Sequence, residues 1–109
     1  MSYNKSTSNH PSWQHAGGKL RELGPQKLND AELLSILIGT GTKGKTAEEI
    51  AKELLQKYNS YKGLAGLELR ELLKIKGLGE VKIIRIAATF EIARRIVNKV
   101  LEEHEQTKK

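Results

Sequence analysis

The sequence predicts an all-α protein, a small bundle of about five helices, and three observations support this class. Apolar residues recur every three or four positions over most of the chain, which is the period of an amphipathic helix. Only five of the 109 residues are aromatic, so Leu, Ile and Ala supply most of the core and favour helices over sheets. Two Asn/Thr-x-x-Glu signatures mark helix starts, and no segment has the pattern of a strand.

One small helical domain is expected between two tails. The predicted order is a disordered tail over residues 1–18, a helical turn over 19–23, helices over 30–38 and 47–58, a turn over 60–66, a hairpin unit from 69, a final helix over 80–101 and a charged, frayed tail over 102–109. The first tail is rich in Ser, Asn, His, Pro and Gly, which disfavours a packed structure. The domain therefore covers residues 19–101.

Local signals fix where the early helices start and stop. Gly24-Pro25 ends the first turn, because proline cannot continue a helix. Asn29 and Thr46 are each followed three residues later by a glutamate, so each forms the first half of a capping box.

The later helices are predicted from apolar stripes. On the helices flanking the hairpin these stripes are Leu69, Leu72, Leu73 and Ile75, then Val81, Ile84 and Ile86. The stripe expected to hold the final helix against the core is Ile83, Ile86, Phe90, Ala93, Val97 and Val100.

The distribution of charge indicates an anionic partner. Formal net charge is +6 at pH 7, and residues 62–100 hold nine basic and four acidic side chains, an excess of five. This excess falls on the hairpin and its flanking helices, as in a phosphate-binding surface. The absence of cysteine excludes disulfides and thiolate metal sites and suits a cytoplasmic protein. No apolar run is long enough to span a membrane.

The turn Gly77-Leu78-Gly79 is the most informative feature of the chain. Gly77 can adopt a left-handed cap, and Gly79 lets the chain turn directly into the next helix. That helix would begin with unpaired amides and a partial positive charge, which suits a phosphate group. The cations expected beside this turn are Lys76, Lys82 and Arg85.

This segment resembles the helix-hairpin-helix motif, which binds the sugar-phosphate backbone of DNA without reading bases. The likeness is carried by the Gly-hydrophobic-Gly core between two amphipathic helices. The motif usually has Ala four residues after the second glycine, whereas this chain has Ile83. The alternative is that Gly-Leu-Gly only connects two helices of a bundle.

A second glycine loop, residues 39–46, fits the nucleotide-binding pattern G-x-x-x-x-G-K-[ST]. A true P-loop follows a buried strand, whereas this loop follows a capped helix, and the only aspartate, Asp30, precedes it. We therefore predict no nucleotide site, although Lys43, Gly44 and Lys45 can contact a phosphate of nucleic acid. Helix, glycine loop, helix occurs twice along the chain, which suggests two hairpin units in a pseudo-two-fold arrangement.

The reactive side chains do not predict an enzyme. His10, His15 and His104 lie near the ends, and no pair has metal-ligand spacing. Ser35 has no histidine near it in sequence that could act as its base. We expect no catalytic residue, no metal site and no cofactor.

Five runs along the chain share their order and spacing with one known family. They are KLRELGP at 19–25, LNDAELL at 28–34, IGTGTKGK at 38–45, SYKGL at 60–64 and LLKIKGLGE at 72–80. Over residues 19–97 the chain thus resembles the N-terminal domain of the RadC family. The resemblance implies a helix-hairpin-helix DNA-binding module associated with DNA repair. In that family the domain normally precedes a zinc metalloprotease-like domain marked by His-x-His followed by Asp, and nothing in this sequence matches that signature. The chain is expected to be an excised domain or a natural short form.

These observations predict a DNA-binding module that grips the phosphate backbone through its glycine hairpins without sequence specificity. The alternative is a helical protein-interaction or regulatory domain that tethers a catalytic partner, such as a metalloprotease-like domain in a longer chain. Salt dependence distinguishes the two, since phosphate contacts weaken with salt and apolar contacts do not.

Overall fold

The computed structural model describes residues 15–108, and every regular element in that range is helical. The elements are α1 (Ala16–Leu23), a 3-10 turn (Pro25–Lys27), α2 (Asp30–Ile38), α3 (Ala47–Lys57), α4 (Tyr61–Ala65), α5 (Leu69–Leu72) and α6 (Glu80–Lys108). This confirms the all-α class. Of the tail predicted over residues 1–18, residues 1–14 lie outside the described residues, while Ala16 to Gly18 belong to α1. None of the described helices is long and apolar enough to cross a membrane.

The chain divides into two compact units at the Leu64–Ala65 junction. The core of the first unit is the contact between α2 and α3. Leu34 and Ile38, one turn apart on α2, are 1% and 0% exposed, and Ala51 on α3 is 0% exposed. Burial of a Leu or Ile side chain contributes about 1.5–3 kcal/mol, so this contact supplies much of the unit's stability.

Both predicted capping boxes are present. The Asn29 side chain accepts a hydrogen bond from the Glu32 amide (2.8 Å), and the Glu32 carboxylate accepts one from the Asn29 amide (2.9 Å). Thr46 and Glu49 make the same reciprocal pair at the start of α3, at 3.1 and 2.8 Å. These bonds satisfy amides that the first helical turn leaves without partners.

An ion pair joins helix α1 to α2. The Lys19 ammonium lies 2.8 Å from the Glu32 carboxylate, and both side chains are partly buried. The helix ends at Leu23 because Gly24 takes φ +89°, and Pro25 follows. A glutamate that caps α2 therefore also fixes α1.

Helix α6 differs most from its predicted form. The sequence predicts an end near Leu101, but the helix continues to Lys108. The stripe predicted to lie in the core is buried only at its start: Ile83 and Ile86 are each 2% exposed, whereas Val97 and Val100 are 55% and 57% exposed. An apolar stripe shows which face of a helix is apolar, but not how far along the helix the rest of the domain extends.

The stripes predicted beside the hairpin are also partly wrong. Helix α5 is a single turn in which Leu72 is buried and Leu69 is exposed, and Leu73, directly after it, is also exposed. On α6 it is Ile83, together with Ile86, that is buried, and Val81 and Ile84 are more than half exposed. Helix α5 has only four residues, about one turn, so the spacing of its apolar residues does not show which face of the helix is buried.

The junction between α3 and α4 depends on a close backbone approach. Asn59 and Ser60 have positive φ, of 60° and 107°, and reverse the chain after Lys57. At Gly63 an added Cβ would overlap the carbonyl oxygen of Tyr58. Any side chain at this position must displace backbone.

We expect Gly63→Ala to destabilise the fold by about 2 kcal/mol or more, because the overlap is with backbone that cannot rotate away. The matched control is Gly17→Ala in α1, where an added Cβ meets nothing within 4 Å. That change should be neutral or stabilise by up to about 1 kcal/mol. Urea denaturation of both variants checks the prediction, and equal midpoints for the two would contradict it.

A second prediction concerns acid stability. The hydrogen bond from Lys19, and then the Asn29 amide, hold the pKa of Glu32 below its ordinary value of 4.5. Because the folded pKa is below the unfolded one, this stabilisation is complete above about pH 5 and is lost as the pH falls through the folded pKa. Glu32→Gln should therefore cost about 1 kcal/mol at pH 7 and flatten the fall in stability between about pH 5 and pH 2. Denaturation across this range tests it, with Glu105→Gln as an exposed control. If the free energy of unfolding of Glu32→Gln fell with pH as steeply as that of the unmodified chain, the prediction would be wrong.

Candidate nucleic-acid interface

The hairpin in the second unit is a seven-residue turn between α5 and α6. Its first part is closed by local bonds, since the amides of Leu73, Lys74 and Ile75 donate to carbonyls three or four residues back. The Ile83 amide donates to the Gly79 carbonyl at 3.1 Å, which is the first bond of α6. The amides before Ile83 have no carbonyl four residues back within the helix. They face the turn, with the positive end of a 29-residue helix behind them.

The two glycines of the turn differ in why the fold needs them. Gly77 has φ +89°, a left-handed conformation that side chains rarely adopt, as the sequence predicts. Gly79 has no such φ, and a Cβ added there meets nothing within 4 Å. Leu78 between them is partly buried and anchors the turn. The fold thus requires a glycine at position 77 and leaves open space in front of position 79.

Three cationic residues lie near this turn in sequence. Lys76 and Arg85 are exposed, and within residues 15–108 neither forms an ion pair. Lys82 is partly buried and lies one turn from Arg85 on α6. Glu80, in the first turn of α6, is the one acidic group in that turn. It stabilises the helix dipole and at the same time reduces the attraction for an anion.

In the glycine loop of the first unit, one of the two lysines is already paired with a carboxylate. It follows α2, a helix, so the strand that a P-loop needs is not there. The Thr46 hydroxyl caps α3, and the Lys45 ammonium lies 2.7 Å from the Glu53 carboxylate. The sequence did not predict this ion pair, because Lys45 precedes the cap of α3 and its position depends on how the loop enters the helix. Of the predicted phosphate contacts here, Lys43 and Gly44 are exposed, and Gly44 has φ +88°.

The loop also borders a cleft of about 690 Å³. Its lining combines the end of α2, the loop and the start of α3, including Ser35, Thr40 and Glu48. Ser35 is buried and its hydroxyl donates to the Glu32 carbonyl at 2.6 Å, so it is already satisfied. The loop lies in the first unit and the hairpin in the second, and their use as a pair stays a prediction.

Among residues 15–108 no group of three or more His, Asp or Glu side chains has the spacing of a metal site. His15 and His104 are exposed, and His10 lies outside the described range.

Comparison with known proteins identifies the family. Residues 12–84 match the model of the UPF0758 N-terminal domain. The chain belongs to the UPF0758 family. It is similar to a UPF0758 protein of Coprothermobacter proteolyticus, 42% identical over 81 residues, which cover 73% of this chain and 34% of the relative. UPF0758 proteins of Cupriavidus pinatubonensis and Cupriavidus necator are 37% and 41% identical over 97 and 88 residues, covering 89% and 81% of this chain and 42% and 39% of theirs.

This membership confirms the resemblance to a RadC-type N-terminal domain. The chain spans about two fifths of the length of the UPF0758 relatives that it matches. No solved structure matches the chain significantly.

Proposed function

We propose that this UPF0758 N-terminal domain binds DNA through its phosphate backbone, without sequence specificity and without catalysing a reaction. The observation that carries the proposal is the start of α6. The first amides of α6 have no carbonyl four residues back within the helix, and the positive end of the helix dipole and the exposed side chains of Lys76 and Arg85 lie near them in sequence. Between them is Gly79, a glycine that neither backbone strain nor packing requires. Such a position is suited to close approach by an anionic oxygen.

In this proposal one phosphate lies in front of Gly77, Leu78 and Gly79. The amides at the start of α6 donate to its oxygens, and Lys76, Lys82 and Arg85 neutralise its charge and that of its neighbours. A second phosphate lies at Lys43, Gly44 and Lys45, although Lys45 must first exchange its contact with Glu53. Base contacts are not expected, because amides and lysines at a turn recognise the backbone.

The biological setting rests on the family. RadC-type domains are associated with DNA repair, and we propose a cytoplasmic role of this kind. A metalloprotease-like domain in a longer chain is the proposed intramolecular partner. No cofactor is invoked, because backbone recognition needs only amides and cations.

Charge reversal at the hairpin tests the proposal. We expect Lys76→Glu combined with Lys82→Glu to weaken binding to duplex, single-stranded and forked DNA alike, by about tenfold or more at moderate salt. With about four phosphates neutralised, log K for the unmodified chain should fall with log salt at a slope of about −3 to −4 on duplex. Fluorescence anisotropy on several unrelated DNA sequences measures both quantities.

Glu80→Gln is the opposite control, since it removes the carboxylate at the helix start. It should tighten binding by about twofold to fivefold at low salt. A loss that differs between DNA sequences after charge reversal would contradict backbone recognition. No binding at low salt would remove the proposal altogether.

The glycines provide a sharper test of the geometry. Gly79→Ala should keep the free energy of unfolding within about 1 kcal/mol, because its Cβ is unobstructed. The same Cβ would occupy the space proposed for the phosphate, so DNA affinity should fall by about tenfold. Gly77→Ala should instead lower stability by about 1–2 kcal/mol through its positive φ. If Gly79→Ala left affinity unchanged, the phosphate would have to bind elsewhere.

A second candidate is a protein-interaction domain that tethers a catalytic partner. It is favoured by the exposed apolar side chains of Val81 and Ile84 beside the hairpin. A salt-insensitive complex with the remainder of a longer UPF0758 chain, lost on Val81→Asn/Ile84→Asn, would support it.

A further inference from the structure

Two large apolar side chains are exposed at the start of α6, beside the proposed phosphate site. Val81 is 67% exposed and Ile84 is 53% exposed, and residues three apart are neighbours on the surface of a helix. Ile83 and Ile86, each 2% exposed, are buried on roughly the opposite side of α6. Val81 and Ile84 therefore face away from the core of their unit. We call these two side chains the apolar pair.

The apolar pair leans toward the hairpin. The Cα–Cβ bonds of a helix tilt toward its N-terminus, so both side chains extend toward the turn at residues 77–79. The Val81 amide is also one of the first amides of α6, which have no carbonyl four residues back within the helix. A phosphate held by these amides, as the proposed function requires, would place its own nucleotide next to the Val81 side chain.

The charges near the apolar pair favour an anionic occupant. Arg85 is exposed and lies one turn after Val81 on the same side of α6. Residues 69–88 hold five basic and two acidic side chains, an excess of three. One of the two carboxylates, Glu80, is one turn before Ile84, so we expect the anionic groups on the Arg85 side of the pair. A neutral partner gains nothing from this excess, and a second copy of the chain carries the same excess and is repelled.

Unpaired nucleotides combine a negative charge with an open apolar surface. In an intact duplex the faces of the bases are covered by stacking, and the sugar-phosphate surface is charged and hydrated. In a single strand, or at a gap or fork, the faces of the bases are open and can pack on protein side chains. Exposed aliphatic side chains beside a phosphate contact thus suit DNA in which bases are unstacked.

We propose that the apolar pair contacts the base of an unpaired nucleotide whose phosphate is held by the hairpin, so that DNA with unstacked bases is the preferred ligand. This inference rests on the proposed function and adds a substrate class to it. Phosphate contacts supply the part of the affinity that salt weakens, and the apolar pair supplies a part that salt does not weaken. Contact with the face of a base needs no base-specific hydrogen bond, so binding stays independent of sequence.

Removing the bases while keeping the phosphates tests the proposal. The probes are two labelled single strands of about 12 nucleotides, one of thymidines and one of abasic residues, which carry the same charge. In fluorescence anisotropy at one salt concentration, we expect the 109-residue chain to bind the thymidine strand at least about fivefold more tightly. Equal, measurable affinity for the two strands would overturn the proposal and leave backbone binding intact. Binding to neither strand would remove both.

The apolar pair is tested by Val81→Asn combined with Ile84→Asn. This change should reduce the affinity ratio of the two strands to below about twofold and leave the slope of log K against log salt unchanged, because no cation is lost. The matched control is Ile92→Asn, 60% exposed and about two turns further along α6, which should keep the ratio. Circular dichroism checks that each variant retains its helix content.

Charge reversal separates the two contributions. Lys76→Glu combined with Lys82→Glu should weaken binding to the thymidine and abasic strands by similar factors, because both strands carry the same phosphates. If the preference for the thymidine strand survived the loss of the apolar pair, or if Ile92→Asn abolished it, the assignment of Val81 and Ile84 would be wrong. The first result would instead favour a protein partner for these two side chains.

Discussion

The packing of α2 against α3 is the contact on which the rest of the first unit depends. Helices of nine and eleven residues are marginal in water, so neither persists without an apolar face to cover. Leu34 and Ile38 provide that face on α2, and the two capping boxes fix where each helix begins. The glycine loop is then confined between two fixed ends. At Gly41 a Cβ would overlap the Lys45 carbonyl, so the two arms of the loop approach each other closely at this position.

A feature of the fold could be predicted from the sequence when the interaction behind it joins residues that are close together in the chain. The starts of α2 and α3 were predictable to the residue, because a capping box lies within four residues of sequence. The course of α6 was not, because its apolar stripe continues unchanged while the rest of the domain ends. The same limit explains Leu69 and Leu73, which share a pattern with buried Leu72 but remain exposed. The Lys45–Glu53 contact was also missed, since it depends on how the loop returns to α3.

The fold places different physical demands on Gly63, Gly77 and Gly79. Gly77 is required by a positive φ, and Gly63 by the Tyr58 carbonyl next to it. Gly79 is required by neither, although the sequence alone makes it look equivalent to Gly77. The sequence thus predicts that a turn lies here. It does not show that Gly79, unlike Gly77 and Gly63, is a glycine that neither a positive φ nor a close neighbour requires, which makes it the position where an anion can approach. A sequence pattern shows where such a turn lies, but not which of its glycines the fold requires and which is left for binding a ligand.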